Sequence, residues 1–245
     1  MKTNILLGKP VADNLRVILK EKINKLSQLG VVPGLAAVLI GDDPASRVYV
    51  GNKEKVFLKY KCFTHTFHLP SDSNEIEIIN LIKSLNDDNR FHGILIQLPL
   101  PNELNSSYIL NHVNPSKDVD GFHPKNLGLL LEGNPKFVPC TPNGILEIFK
   151  FYNINISGEH VVIIGRSNIV GKPMFALLAQ KFERGNATVT ICHTGTKDIT
   201  LFTKQADIII AAVGSPKILD KTMIKEGAHI IDVGINRIND DTKKG

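Results

Sequence analysis

The sequence predicts an α/β protein of two domains, each built around a parallel sheet. Two series of short apolar runs alternate with helix-like segments, and such alternation is typical of parallel strands joined by crossover helices. A passage rich in proline and glycine separates the two series. With 245 residues, of which 42% are hydrophobic, the chain is long enough to bury a substantial core.

The first series opens with a helix. Apolar residues recur at roughly helical spacing from Val11 to Leu29, and the run GLAAVLI after Gly30 predicts a buried strand. The segments that follow predict a strand in CFTHTFHL, a helix in EIEIINLIKSL, a strand in GILIQLPL and a helix around residues 104–110. These elements make up the predicted N-terminal α/β domain.

The loop-rich passage runs from NPSKDVDGFHPKN to EGNPKFVPCTPNG, before a helix near residues 145–152. We place the domain boundary there, with domains at 1–140 and 141–245. The second series then reads HVVIIG, a glycine-rich turn, a helix near residues 173–181, ATVTICH, a short helix, ADIIIAAVG and AHIIDVG. This is the pattern of a doubly wound, Rossmann-like sheet, and we expect a ligand cleft between the two domains.

Charge and cysteine content narrow the functional class. The 29 basic and 24 acidic residues are intermingled, so the net charge of +5 favours an anionic small molecule over nucleic acid. Three widely spaced cysteines form no Cys-x-x-Cys pair, and His65 and His68 would face opposite sides of a strand, so no metal site is expected. The apolar run before Gly8 is too short for a signal peptide and no stretch approaches a membrane span, which predicts a cytoplasmic protein.

The turn GRSNIVGKP predicts a dinucleotide site. Gly165 ends a strand and Gly171 opens the next helix, whose first amides favour phosphate. A pair of glycines at this spacing is usually only a tight strand-to-helix turn, but this turn follows the first strand of the second sheet, where ligands bind. The second strand ends without a carboxylate to repel a 2′-phosphate, and Arg166 with Ser167 can bind one. We therefore predict NADP over NAD.

Three features of the first half are candidates for chemistry. Asp43 and Pro44 predict a helix start, which places Tyr49 and Lys53 one turn apart on the same face. Gln97 ends an apolar run just before a proline-rich turn, where a polar residue is a candidate ligand contact. Each has an ordinary structural alternative, a solvated helix pair for the first and a capped strand end for the second.

The third feature is the segment KDVDGF. Asp118 and Asp120 precede Gly121 in a loop, and an aspartate-glycine turn is the ordinary structural reading. Taken together, these segments resemble the bifunctional methylenetetrahydrofolate dehydrogenase/cyclohydrolase family over nearly the whole chain. The matching segments, in order, are PASRVYVGNKEK, SLNDDNRFHGILIQLPLP, KDVDGFHP, CTPNG, GRSNIVGKP and IDVGINR.

The resemblance implies a role for each candidate. Lys53 would be the catalytic proton-transfer residue, Tyr49 would stack on the folate, Gln97 would tune the lysine, and Asp120 would hold the pterin. The implied cofactor contacts are Gly165, Arg166, Ser167, Thr194, where serine is common in the family, and Ile235.

The resemblance also implies a reaction. An NADP-dependent oxidation of methylenetetrahydrofolate would give a methenyl cation, which water would convert to the formyl product in the same pocket. The implied partners are one-carbon derivatives of tetrahydrofolate, polyglutamylated or not, and a second subunit of a homodimer formed through the dinucleotide domain. Purine biosynthesis is the implied setting.

One departure and three alternatives accompany the resemblance. The family continues past IDVGINR through a further strand to a Pro-Gly-Gly-Val-Gly-Pro segment and a final helix, and the sequence up to Gly245 contains none of these. The alternatives are a monofunctional dehydrogenase, a non-catalytic dinucleotide-binding module, and another two-domain dehydrogenase such as the shikimate type. The last would not explain PASRVYVGNK together with QLPLP.

Overall fold

The computed structural model describes residues 3–234. Its backbone divides into two compact units. The first comprises Met1–Leu129 and Asn134–Val138, and the second comprises Leu130–Gly133 and Pro139–Gly245. Both are built around parallel sheets, so the predicted two-domain α/β class is confirmed.

The first unit alternates helices and strands from its start. Its elements are α1 (Gly8–Gln28), β1 (Gly34–Ile40), α2 (Pro44–Lys59), β2 (Phe63–Leu69), α3 (Glu75–Asp87), β3 (Gly93–Ile96) and α4 (Ser106–Leu110). The sheet order is β2-β1-β3, and both strand pairs are parallel. The strand order therefore reverses between β1 and β3, and the carboxyl edge at such a reversal is where open α/β sheets bind ligands.

Every residue of β1 and β3 is buried, because helices cover both faces of a parallel sheet. One face packs a large cluster around Ile78, Ile82 and Phe91. The other face packs a smaller cluster of apolar residues. We call this the small cluster, and its members are Leu35, Ala37, Val50, Leu95, Phe57 and Val119.

The passage that we predicted to be loop-rich contains more helix than expected. Helix α5 (Pro124–Glu132) lies inside it, and α6 (Cys140–Phe151) begins well before the predicted start near Ile145. The prediction of a loop was therefore wrong over α5. Part of the reason is a side-chain contact that leaves no helical pattern, since the Asp118 carboxylate accepts hydrogen bonds from the amides just before the helix.

The second unit continues the alternation. Its elements after α6 are β4 (His160–Ile164), α7 (Gly171–Leu178), β5 (Thr188–Cys192), α8 (Thr200–Thr203), β6 (Ile208–Ala211), a short 3₁₀ helix (Lys221–Met223) and β7 (His229–Asp232). The parallel sheet has the order β5-β4-β6-β7, with a reversal between β4 and β6. Within residues 3–234, no helix combines the length and the apolar character that a membrane crossing needs.

Candidate active site

Helix α2 begins at a well-formed cap. The Asp43 carboxylate accepts a hydrogen bond from the backbone N–H of Ser46 at 2.7 Å, and Pro44 occupies the first turn, as predicted. The Ser46 amide, followed by its hydroxyl, lowers the pKa of Asp43 below its ordinary value of 3.8. The cap therefore stays charged at neutral pH and fixes where the helix starts.

This start determines which residues of α2 face the core. Val50 is buried in the small cluster, and its burial fixes the rotation of the helix. Tyr49 is 48% exposed and Lys53 is half-buried, one turn apart on the helix. A tyrosine left this exposed beside a half-buried lysine suits contact with a planar ligand better than a role in the core.

Gln97 stands at the carboxyl end of β3. Its backbone N–H donates to the carbonyl of Val38 at 2.9 Å, which extends the pairing of β3 with β1 by one residue. Gln97 is half-buried, and it lies at the reversal of strand order in this sheet. The predicted position at a strand end is confirmed, and this strand end is the expected ligand edge.

The structure brings Lys53 and Gln97 together. Lys53 Nζ donates to Gln97 Oε1 at 3.3 Å, and Gln97 Nε2 donates to the carbonyl of Leu98 at 2.7 Å. Together these contacts fix the orientation of the Gln97 amide. If its oxygen and nitrogen were exchanged, the NH₂ group would face the Lys53 amine, which is also a donor, and the oxygen would face the Leu98 carbonyl, which is also an acceptor. Gln97 therefore presents an oxygen to the lysine amine and orients it.

The two aspartates of KDVDGF are placed differently. Asp120 is half-buried, in a turn closed by a hydrogen bond from Gly121 N–H to the Asp118 carbonyl at 3.2 Å. Gly121 has a φ of +70°, which favours glycine, so the aspartate-glycine turn is present. Asp118 is 5% exposed, and sequence reasoning did not find its buried hydrogen-bond network, because the partners come from later residues.

In the second unit, close backbone packing accounts for both glycines of the GRSNIVGKP turn. A Cβ added at Gly165 would lie 2.3 Å from the carbonyl oxygen of Ala212, and one added at Gly171 would lie 2.1 Å from the carbonyl oxygen of Gly165. Gly165 follows β4 and Ala212 follows β6, so the turn sits at the reversal of strand order in this sheet. The turn is thus both tight and located where dinucleotides bind.

The side chains of this turn suit an anion. Ser167 Oγ accepts from the N–H groups of Val170 and Gly171 at 3.1 and 3.4 Å, which holds the turn against the start of α7. Arg166 is exposed, and its Nη1 lies 3.4 Å from Nε2 of His193.

His193 is a residue that sequence reasoning did not single out. Its Nδ1 accepts a hydrogen bond from Gly195 N–H at 3.0 Å, so the neutral ring carries its proton on Nε2. In this tautomer His193 Nε2 and Arg166 Nη1 are both donors, and they lie side by side. A phosphate oxygen would accept from both, so these residues fit the 2′-phosphate of NADP.

Of the two remaining predicted cofactor residues, the structure places one. Thr194 is exposed directly after His193, but the hydroxyl that contacts the backbone here belongs to Thr196, which accepts from His193 N–H at 2.9 Å. Ile235 lies outside the described residues. Cys192, the last residue of β5, directly precedes His193. Burial raises the pKa of its thiol, so Cys192 is an uncharged packing residue at the end of this strand.

A cavity of about 240 Å³ adjoins the same sheet edge. It is lined by residues at and beyond the ends of β6 and β7, among them Ala211, Ser215 and Asp232. Ala211 lines the cavity and the next residue abuts Gly165, so the cavity and the glycine turn both adjoin the end of β6. Among residues 3–234, no three His, Cys, Asp or Glu side chains are grouped as metal ligands would be.

Two models of one protein family match the chain. The catalytic-domain model of the tetrahydrofolate dehydrogenase/cyclohydrolase family matches residues 6–120. The NAD(P)-binding-domain model of the same family matches residues 139–245. The first match includes every candidate residue of the first unit, and the second includes the glycine turn.

Individual relatives agree with the models. Bifunctional protein FolD of Bacillus cytotoxicus is 49% identical over 234 residues, which cover 96% of this chain and 80% of that relative. The crystal structure of the bifunctional enzyme FolD, a methylenetetrahydrofolate dehydrogenase/cyclohydrolase from Campylobacter jejuni, matches with a TM-score of 0.91 at 44% identity and covers 96% of this chain and 82% of that one. The corresponding enzyme of Trypanosoma brucei, complexed with NADP cofactor and inhibitor, matches with a TM-score of 0.92 at 32% identity, over 99% and 83% of the two chains.

Proposed function

Because the chain belongs to the tetrahydrofolate dehydrogenase/cyclohydrolase family, we propose that Lys53, Gln97 and Asp120 form its catalytic site and that the turn at Gly165 binds NADP. The protein is a bifunctional enzyme of one-carbon metabolism. It oxidises 5,10-methylenetetrahydrofolate to 5,10-methenyltetrahydrofolate with NADP, and it hydrolyses the methenyl compound to 10-formyltetrahydrofolate. The contact between Lys53 and Gln97 is the observation on which the site assignment depends.

The hydrolytic step needs a group that moves protons. Water adds to the methenyl carbon and loses one proton, which leaves a hydroxyl on that carbon. The bond from the carbon to N5 of the pterin then breaks as N5 takes up a proton and the hydroxyl loses its proton to become the formyl carbonyl. The Lys53 amine is held by the Gln97 oxygen, so it can accept the proton of the attacking water and return one to the departing nitrogen. One proton is released overall.

The other residues of the first unit bind the substrate. Tyr49 provides an exposed ring one turn before Lys53, on which the folate can stack. The Asp120 carboxylate can accept hydrogen bonds from the amino group and ring N–H of a pterin, which are donors. Substrate binding therefore relies on one planar and one polar contact, and Gln97 orients the reacting amine.

The second unit supplies the cofactor contacts. When bound, NADP provides the hydride acceptor for the oxidation. Arg166 and His193 would bind its 2′-phosphate, and Thr194 would add a hydroxyl. Ser167 shapes the turn, and Gly165 keeps the backbone close to β6. Ile235 completes the proposed set.

The setting of the enzyme is also part of the proposal. We infer a cytoplasmic homodimer associated through the dinucleotide-binding unit, acting on tetrahydrofolate derivatives with or without polyglutamate tails. The formyl product would serve purine biosynthesis. The net charge of +5 suits a substrate whose glutamate carboxylates are anionic.

A spectrophotometric assay tests this function. The purified chain is mixed with 5,10-methylenetetrahydrofolate and either NADP or NAD, and the reduced cofactor, the methenyl compound and the formyl product are followed separately. We expect reduction of NADP in preference to NAD, with formyl product accumulating. Accumulation of the methenyl compound alone would indicate a monofunctional dehydrogenase, and NADP binding without any absorbance change would indicate a binding module.

A further inference from the structure

The Asp118 carboxylate lies at the centre of a buried hydrogen-bond network in the first unit. One oxygen accepts from Phe122 N–H at 3.2 Å, and the other accepts from His123 N–H at 2.9 Å and from Asn126 Nδ2 at 2.7 Å. Asn126 is 1% exposed, and its Nδ2 also donates to the carbonyl of Pro115 at 3.0 Å. The side chain of Asp118 therefore ties together the residues on both sides of the KDVDGF turn.

The backbone around Asp118 is anchored as well. Asp118 forms an isolated parallel bridge with Ile94 of β3, and Ile94 N–H donates to the carbonyl of Lys117 at 2.7 Å. Lys117 Nζ donates to the carbonyls of Leu85 and Asp88 at 3.0 and 2.8 Å, beside the end of α3. The start of the turn is thus attached to the central sheet and to a neighbouring helix.

The residue between the two aspartates packs into the core. Val119 belongs to the small cluster, together with Val50 of α2 and Leu95 of β3. A Cβ added at Gly93 would lie 2.4 Å from Val119 Cγ1, which shows how closely the valine packs against this strand. The segments that carry Lys53, Gln97 and Asp120 therefore share one apolar cluster.

We propose that Asp118 is a positioning residue, whose buried carboxylate holds the KDVDGF turn so that Asp120 meets the pterin ring. The proposal rests on the proposed function, because it assumes that Asp120 binds the folate. Asp118 itself is too buried to touch a substrate and acts through the backbone of its neighbours.

The charge of Asp118 matters because all three of its side-chain partners are donors. An asparagine at this position would present its NH₂ group to at least one of these donors. Two donor groups would then face each other without an acceptor. Asn126 cannot compensate by rotating its amide, because the same nitrogen also serves Pro115. Its Oδ1 is buried without a hydrogen-bond partner, so the network is arranged around the carboxylate.

The test compares Asp118→Asn with the unchanged chain. Binding of tetrahydrofolate and of NADP is measured separately by titration calorimetry, and KM and kcat are measured for the dehydrogenase step. Circular dichroism checks that the variant and the unchanged chain are both folded. A displaced Asp120 should raise the Kd for tetrahydrofolate and the folate KM by about tenfold or more, because small misplacements of binding groups are costly. The Kd for NADP should stay unchanged.

Asp207→Asn is the matched control. Asp207 also accepts from a backbone N–H, that of His160 at 2.8 Å, but it lies in the second unit. Its replacement should leave tetrahydrofolate binding unchanged. Asn126→Ala is the milder second variant, since it removes one donor to Asp118, and it should raise the Kd for tetrahydrofolate by about threefold.

Each outcome decides between the claims. Unchanged tetrahydrofolate binding in a folded Asp118→Asn or Asn126→Ala variant would overturn the positioning role while leaving the proposed function intact. Equal weakening of tetrahydrofolate binding by Asp207→Asn would overturn the positioning role too. Failure of both Asp118→Asn and Asn126→Ala to fold would also overturn it, because Asp118 would then serve the fold alone. If the unchanged chain neither binds tetrahydrofolate nor reduces NADP with its methylene derivative, the proposed function fails as well.

Discussion

Lys53 and Gln97 are 44 residues apart in the sequence, and the lysine amine donates to the glutamine side-chain oxygen at 3.3 Å. The lysine comes from a helix whose rotation is fixed by Val50, and the glutamine comes from the end of a fully buried strand. Two rigid elements therefore set the distance between them, as a reacting pair requires.

Replacing Gln97 by leucine should impair the hydrolytic step selectively. The leucine side chain cannot accept from Lys53 Nζ, so the amine loses its orientation, and we expect cyclohydrolase kcat to fall by about 10- to 100-fold. The KM for NADP should not change. The exposed Gln205 of the second unit provides the control, since Gln205→Leu should leave both activities near wild type. An undiminished hydrolytic rate in Gln97→Leu would show that the contact has no catalytic role.

Replacing Arg166 by alanine should remove the preference for NADP. The guanidinium can make charge-assisted hydrogen bonds to a 2′-phosphate, and their loss should raise the KM for NADP by about 10- to 100-fold. NAD lacks that phosphate, so its KM serves as the internal control and should change little. His193→Ala should show a smaller effect in the same direction. An equal increase of the KM for both cofactors would show that Arg166 does not bind the 2′-phosphate.

Replacing Gly171 by alanine should disrupt the turn. The new Cβ would lie 2.1 Å from the carbonyl oxygen of Gly165, and relieving such a contact costs about 1–3 kcal/mol of unfolding free energy. NADP binding should be lost together with stability. Gly144→Ala is the control, because Gly144 lies within α6 with nothing within 4 Å of an added Cβ, and it should stabilise by about 0.5–1 kcal/mol. Denaturant titrations and NADP titrations of both variants give the comparison, and wild-type NADP affinity in Gly171→Ala would contradict it.

Asp207 should make the second unit sensitive to acid. The Lys225 ammonium, followed by the N–H of His160, lowers the pKa of this carboxyl below its ordinary value of 3.8. A lowered folded-state pKa adds stability that is present above pH 3.8 and is lost as the pH falls through the folded value. The thermal unfolding midpoint of Asp207→Asn should therefore lie below that of the wild type at neutral pH, and the difference should shrink below about pH 4. A difference that does not depend on pH would refute the assignment.

Local signals in the sequence were enough to predict much of the framework. The run GLAAVLI coincides with β1, and the Asp43-Pro44 pair marks the start of α2, because caps and buried strands depend on adjacent residues. The same holds for the helix that opens at Gly171. These are features that a short stretch of chain determines by itself.

Specific side-chain contacts, rather than periodic patterns, explain what was missed. The donor role of His193 depends on the Gly195 amide and on the approach of Arg166 from another strand end. The buried network of Asp118 depends on Asn126, in a helix that sequence reasoning did not predict. Roles that arise from three-dimensional proximity leave no periodic pattern in the sequence. The roles of Lys53 and Gln97 were expected from the family resemblance rather than from their spacing.

The cyclohydrolase rate of Lys53→Met tests the account most directly. Methionine keeps the length and apolar volume of the lysine stem but cannot transfer a proton, and the control is Lys55→Met, an exposed lysine on the same helix. After subtraction of the uncatalysed rate, conversion of methenyltetrahydrofolate to the formyl product should fall by about 10²- to 10⁴-fold in Lys53→Met. It should stay at the wild-type level in Lys55→Met, and both variants should still bind NADP. Hydrolysis by Lys53→Met at the wild-type rate would contradict the central claim.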